Sequence, residues 1–152
     1  MTKRILLADD DASVRETLGR VLELEHYDVV LAGGGREAVA KFRADPPDLV
    51  LLDLDMPDQN GWQVFDAIFH VAPRVPVLII TAVPHQAKRA AQLGAAALME
   101  KPLHLLRLLQ VLSDLLAESV ETRRARTTGK AAEFDTLPAW PKAQPSCTGG
   151  TC

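Results

Sequence analysis

Five short blocks of uninterrupted aliphatic residues, Ile5-Leu6-Leu7-Ala8, Val29-Val30-Leu31, Leu49-Val50-Leu51-Leu52, Val77-Leu78-Ile79-Ile80 and Ala97-Leu98-Met99, constrain this chain more than any other feature. A strand with one face in water alternates apolar and polar residues, whereas a strand that is apolar throughout is covered on both faces, as in a parallel sheet between two layers of helices. Stretches of helix length separate the blocks. From Ser13 to Leu24, the residues Val14, Leu18, Val21 and Leu22 recur at helical spacing, and the later blocks are followed by Glu37 to Phe42, Trp62 to Phe69, a short segment ending at Leu93-Gly94, and a long one from Leu103 to about Glu118. Five strand–helix units predict a doubly wound α/β fold, an open five-stranded parallel sheet with helices on both faces. Ligands of such sheets bind beyond the carboxyl ends of the strands, where the strand order reverses.

Those ends carry the chemistry. The first block runs into Asp9-Asp10-Asp11, the third into Asp53, the fourth into Thr81 and the fifth into Lys101-Pro102. Carboxylates gathered without a cation repel one another and raise their own pKa values, so the cluster makes sense chiefly with a divalent metal. All-oxygen ligands favour Mg²⁺, which takes one or two carboxylates, keeps several waters and leaves a position for a phosphoryl oxygen. Lys101 adds a positive charge on the other side of that group and Thr81 a hydroxyl donor. The set reads as a site that holds a phosphoryl group on a carboxylate, with Asp53 as nucleophile. Asp11 is set apart as the N-cap of the first helix.

Length and charge narrow the classes. A chain of 152 residues suits one domain, and 20 acids against 17 bases, a formal charge of −3, lack the basic excess of a compact nucleic-acid binder. No apolar run approaches the roughly 18 residues of a membrane helix, and the start, Met1-Thr2-Lys3-Arg4-Ile5, lacks the apolar region of a signal peptide, so a cytoplasmic protein without a membrane partner is expected. The composition breaks near Ala117. Residues 1–117 are expected to form the folded domain, and residues 118–152, with Gly129, Pro138, Pro141, Pro145, Gly149 and Gly150 among Thr and Ser residues, a helix end followed by a disordered tail from about residue 125. Arg123, Arg124 and Arg126 cluster where the last helix is expected to fray, either as a solvated helix end or as a contact for an acidic partner. Cys147 and Cys152 lie at the far end and read as free thiols, too few for a zinc site of their own.

Over residues 4 to about 117 the sequence resembles the receiver domain of two-component response regulators. The resemblance rests on Ile5 to Asp11, on Asp48 to Pro57 with Gly61, on Ile80-Thr81-Ala82, on Gly94-Ala95 and on Lys101-Pro102. It implies the flavodoxin-like strand order 2-1-3-4-5. It also implies that Asp53 is the phospho-acceptor, supplied by a sensor histidine kinase or a phosphotransfer protein, and that Asp9, Asp10, Asp53 and the backbone carbonyl of Asp55 hold Mg²⁺. Thr81 and Lys101 would contact the phosphoryl oxygens, and the Lys101–Pro102 bond would be cis. Two departures stand out. The position three before the lysine, commonly a Tyr or Phe that swings inward with the threonine as a switch, is Leu98, and the stretch from Thr81 to Gly94 is about two residues short of expectation.

The leading expectation is a stand-alone phospho-receiver that catalyses only its own phosphorylation and dephosphorylation and acts on an unknown downstream protein. The remaining chain is too short and polar for a DNA-binding output domain, so no direct DNA contact is expected. One alternative is a receiver-fold docking module indifferent to phosphorylation. Another is a Mg²⁺-dependent phosphatase or phosphotransferase with Asp55 as second acid, although nothing in the sequence would form its substrate cap. In the fifth helix, Leu105, Leu106, Leu108, Leu109, Val111, Leu112, Leu115 and Leu116 cover more than a one-sided stripe. Either the helix is deeply buried or it supports self-association or partner docking, with Leu105, Leu106 and Val111 as the outward set.

Overall fold

The structure, a computed structural model, describes residues 2–57 and 60–127. Each aliphatic block is a strand: β1 Arg4–Ala8, β2 Asp28–Ala32, β3 Leu49–Asp53, β4 Val77–Thr81 and β5 Ala97–Glu100. Between and after them lie α1 Ala12–Leu24, α2 Gly35–Ala44, α3 Gly61–Val71, α4 Ala87–Leu93, α5 Leu105–Leu116 and α6 Val120–Thr127. The sheet is parallel throughout, in the order β2-β1-β3-β4-β5. Reversal of strand order falls between β1 and β3, whose register sets Ala8 beside Leu52.

Alternate strand residues feed two cores. Ile5, Leu7, Leu49, Leu51, Leu78 and Ile80 point to the face covered by α1 and α5, where they meet Leu18, Leu22, Leu108 and Leu112. Leu6, Val50, Leu52, Val77, Ile79 and Leu98 point to the face covered by α2, α3 and α4, against Phe42, Val64, Ile68 and Ala90. This double burial is why the strands carry no polar alternation. Gly94 ends α4 in the left-handed region at φ 97°, where a side chain would also strike the Phe69 ring, its Cβ falling 2.8 Å from Cε1.

At its last helices the fold departs from expectation. α5 begins at Leu105 rather than Leu103, because His104 adopts an extended conformation and its Nδ1 accepts from the Arg107 N–H at 3.3 Å, which makes it the N-cap. The expected outward set divides. Leu106 is 73% exposed and Leu105 40%, but Val111 is 6% exposed and belongs to the α1/α5 core with Leu108, Leu112 and Leu115, which share its side of the helix at spacings of three and four. The segment after α5 does not fray as its continuation. Ser119 Oγ accepts from the Thr122 N–H at 3.1 Å and starts α6, whose Arg123 guanidinium returns to the carbonyls of Leu115 and Leu116 at 3.3 and 3.4 Å. These carbonyls lie in the last turn of α5, where a cation is favoured. Of the tail expected to be disordered from about residue 125, α6 runs on to Thr127, and residues 128–152, with both cysteines, lie outside those described.

Candidate functional site

The carboxyl ends of β1, β3, β4 and β5 meet at one edge of the sheet, and strand ladders set their spacing. The ladder extends past the strands themselves: Asp9 N donates to Ala32 O at 3.1 Å, Leu54 N to Ile80 O at 2.9 Å, and Lys101 N to Thr81 O at 2.9 Å. Asp9 and Asp53 are thereby fixed at the ends of adjacent strands, and Lys101 beside Thr81. Asp9, Asp53 and Thr81 are the buried polar residues among those described, at 2%, 1% and 0% exposure.

The loops after the strands fold around these side chains. Asp11 N donates to Asp9 Oδ1 at 2.9 Å, and the Arg15 guanidinium donates to the Asp9 carbonyl at 2.7 Å. As expected, Asp11 itself caps α1, accepting from Ser13 N at 2.9 Å and Val14 N at 3.2 Å. Asp55 N donates to Asp53 Oδ1 at 2.8 Å, closing a short Asx turn. Gly61 lets α3 start directly over this loop, since a Cβ there would lie 2.5 Å from Leu54 Cα. Across the mouth, the Arg89 guanidinium lies 4.6 Å above the Trp62 ring.

Lys101 faces the acids. Lys101 Nζ donates to Asp53 Oδ2 at 3.0 Å and stands 4.0 Å from Asp55 Oδ2. Burial alone would lower the Lys101 pKa, but its hydrogen bond to Asp53 and the attraction of Asp53, Asp9 and Asp55 outweigh that and hold it above the ordinary lysine value. Burial pushes Asp9 up to about 6, with the Asp53 charge adding to the rise and the Asp11 N–H opposing it. Asp9, Asp10 and Asp53 each present a carboxylate oxygen within 4.8 Å of the others, and Asp10 is open to solvent. Three acids at that distance, two of them buried and served by one lysine, form an oxygen donor set short of positive charge, which fits a small hard divalent cation.

All the predicted site residues converge except Leu98. That residue is 5% exposed and packs in the α2/α3/α4 core, paired on the β4–β5 ladder with Ile79, two positions before Thr81. The Lys101–Pro102 bond is cis. The Asp55 carboxylate, expected only as the second acid of the phosphatase-like alternative, serves instead as an acceptor: it accepts from Thr81 Oγ1 at 3.1 Å through Oδ1 and from Ala82 N at 2.8 Å through Oδ2. The phosphatase-like alternative needs Asp55 as a proton donor, and here it is an acceptor twice over.

The family model of the response regulator receiver domain matches residues 5–113. This chain belongs to that family. It is 40% identical over 118 residues to response regulator MprA of Mycolicibacterium vanbaalenii, an alignment covering 76% of this chain and 51% of that protein. MprA of Mycobacterium tuberculosis is 38% identical over the same coverage. The chain thus spans about half the length of these curated relatives. Among solved structures, the non-phosphorylated HemR receiver domain of Leptospira biflexa matches with a TM-score of 0.74 and 36% identity, over 78% of this chain and 97% of that one. A CheY-like receiver domain from Methanospirillum hungatei matches with a TM-score of 0.74 and 25% identity, over 82% and 98%. The receiver is a signalling domain, and its sheet order is the one the resemblance implied.

Proposed function

We propose that this domain accepts a phosphoryl group on Asp53 from a histidine kinase or phosphotransfer protein in the cytoplasm and transmits that state through protein–protein contacts. The observation that carries this reading is the Asp53 carboxylate, 1% exposed, with Lys101 Nζ at 3.0 Å from one oxygen and a carboxylate oxygen of each of Asp9 and Asp10 within 4.8 Å. In the reaction an Asp53 oxygen attacks the phosphorus of a phosphohistidine. The phosphorus–oxygen bond forms as the phosphorus–nitrogen bond breaks, and the imidazole leaves with the electron pair and takes up a proton from solvent. Asp9, Asp10, Asp53 and the Asp55 carbonyl would hold Mg²⁺, which when bound offsets the charge of the transferring phosphoryl oxygens. Lys101 supplies the fixed cation from the protein, while Thr81 Oγ1 and the Ala82 N–H supply neutral donors at the end of β4. Burial excludes bulk water from Asp53 and leaves the carboxylate poorly solvated, which favours attack.

The exposed Leu105 and Leu106 at the start of α5 are the proposed outward contact for a partner or a second copy. Val111 takes no part, being core.

Incubation with acetyl phosphate and Mg²⁺, followed by intact-mass measurement, tests the assignment. One added phosphate is expected in the wild type and none in Asp53→Asn. Stoichiometric labelling of Asp53→Asn, or labelling indifferent to chelation of Mg²⁺, refutes it.

A further inference from the structure

Asp55 takes the hydrogen bonds that a phosphoryl group on Asp53 would need. Its two carboxylate oxygens accept from Thr81 Oγ1 at 3.1 Å and Ala82 N at 2.8 Å, and the second stands 4.0 Å from Lys101 Nζ. A hydroxyl, a backbone N–H and an ammonium around one anionic group are the set that stabilises a phosphoryl group. In this structure that group is a carboxylate of the chain itself, two residues beyond the proposed acceptor. Thr81 Oγ1 is held a second time, accepting from Val83 N at 3.0 Å, so the end of β4 and the loop after it are ordered around Asp55.

We infer that the Asp55 carboxylate is an internal stand-in for the phosphoryl group, a positioning residue that keeps the Thr81 and Ala82 donors turned toward the site and must give them up when Asp53 is phosphorylated. The inference rests on the functional reading above. Two physical arguments support displacement over sharing. A phosphoryl group carrying close to two negative charges cannot share two donors with a carboxylate without strong like-charge repulsion. Asp55 also has somewhere to go: its side chain is 30% exposed, and it borders a cleft of about 350 Å³ lined by Asn60, Trp62, Val83, Gln86 and Arg89. Unlike Asp9 and Asp53, it is not locked in the sheet. The exchange leaves the number of donors satisfied nearly constant, so the donors arrive preformed while the phosphoryl group has to outcompete an occupant.

The test uses beryllofluoride, a phosphoryl mimic, titrated at saturating Mg²⁺ into the wild type, Asp55→Asn and Asp55→Ala, with amide NMR as readout. Before any mimic is added, the Ala82 amide proton of the wild type should be shifted downfield by its 2.8 Å charge-assisted bond and should return toward ordinary values in Asp55→Ala. Asp55→Ala should then bind the mimic at least about 5-fold more tightly, the lower end of ordinary coupling between two occupants of one site, and Asp55→Asn should fall between. In a Thr81→Ala background the gain from Asp55→Ala should shrink, since one contested donor is gone. A gain of full size there assigns the effect to net charge and overturns the inference, as does an Asp55→Ala variant that binds no tighter than wild type. A wild type that shows no mimic binding at all fails the functional reading itself, a distinct outcome from the other two.

Discussion

Replacing Asp9 by Asn should stabilise the metal-free domain at neutral pH. Asp9 is 2% exposed, and burial, aided by the charge of Asp53, raises its pKa from 3.8 to about 6. The folded state therefore binds the Asp9 proton more tightly than the unfolded state does, and stability falls as pH rises from the unfolded value through the folded one. At about 1.4 kcal/mol per pH unit, that window sets a ceiling of about 3 kcal/mol lost once the group is fully ionised. An asparagine keeps the shape and the oxygen that accepts from Asp11 N, so the local turn survives while the buried charge goes. We expect a gain of about 1–3 kcal/mol in urea unfolding followed by circular dichroism, at pH 7.5 in EDTA. That gain should disappear at pH 4, where wild-type Asp9 is largely protonated in the folded state. With Mg²⁺ present the order should reverse if the proposed metal site forms, because binding would stabilise the wild type and Asp9→Asn has lost one carboxylate of that site. A variant less stable than wild type in EDTA at pH 7.5, or a gain independent of pH, refutes the argument that Asp9 is held ionised at a cost.

Two further outcomes follow from packing. Gly61→Ala places a Cβ 2.5 Å from Leu54 Cα, and since that neighbour is backbone it cannot step aside; a loss of about 1–3 kcal/mol in thermal unfolding is expected, and an unchanged midpoint would show that α3 can shift away from the Asp53 loop. Leu106→Glu, at a side chain 73% exposed, should change stability by under about 0.5 kcal/mol, whereas Val111→Arg, at 6%, should prevent folding or cost more than about 3 kcal/mol; equal effects in chemical denaturation would contradict the division of α5 into a core side and an open edge.

Legibility in the sequence followed the strength of the physical constraint. A run such as Leu49 to Leu52 has few homes outside a sheet covered on both faces, so strands and layers could be read, and the acids and lysine at their ends came together as the topology required. Strand order rested on family resemblance, because periodicity does not say which block lies beside which. Val111 was misplaced for a related reason. In a helix where eight residues of twelve are leucine or valine, composition no longer marks the buried side, and only the position of α5 on the sheet selects Leu108, Val111, Leu112 and Leu115. α6 escaped notice because eight residues with Arg at three positions carry little apolar pattern, while its start depends on one serine hydroxyl and its seat on the carbonyl ends of another helix. The Asp55 carboxylate could be seen in the sequence but not its use, since Thr81 lies 26 residues away and only the β3–β4 pairing brings the two together.

The absence of an aromatic ring at position 98 bears on how such a site can pass on its state. Leu98 is packed against the helices of one face and offers no polar edge to move between buried and exposed positions. The groups whose partners would change in the inferred exchange are instead Thr81 and Ala82, and the chain runs from them through Val83 and Gln86 directly into α4. That helix is only seven residues long, is capped by glycine, and has Arg89 in contact with Trp62 on α3. A short helix with few buried residues, here Ala90 and Ala91, has little packing energy to resist a shift at its entrance. Exchange of Asp55 for a phosphoryl group at the Ala82 N–H would therefore be felt first in the loop that leads into α4, without a side-chain rotor in β5.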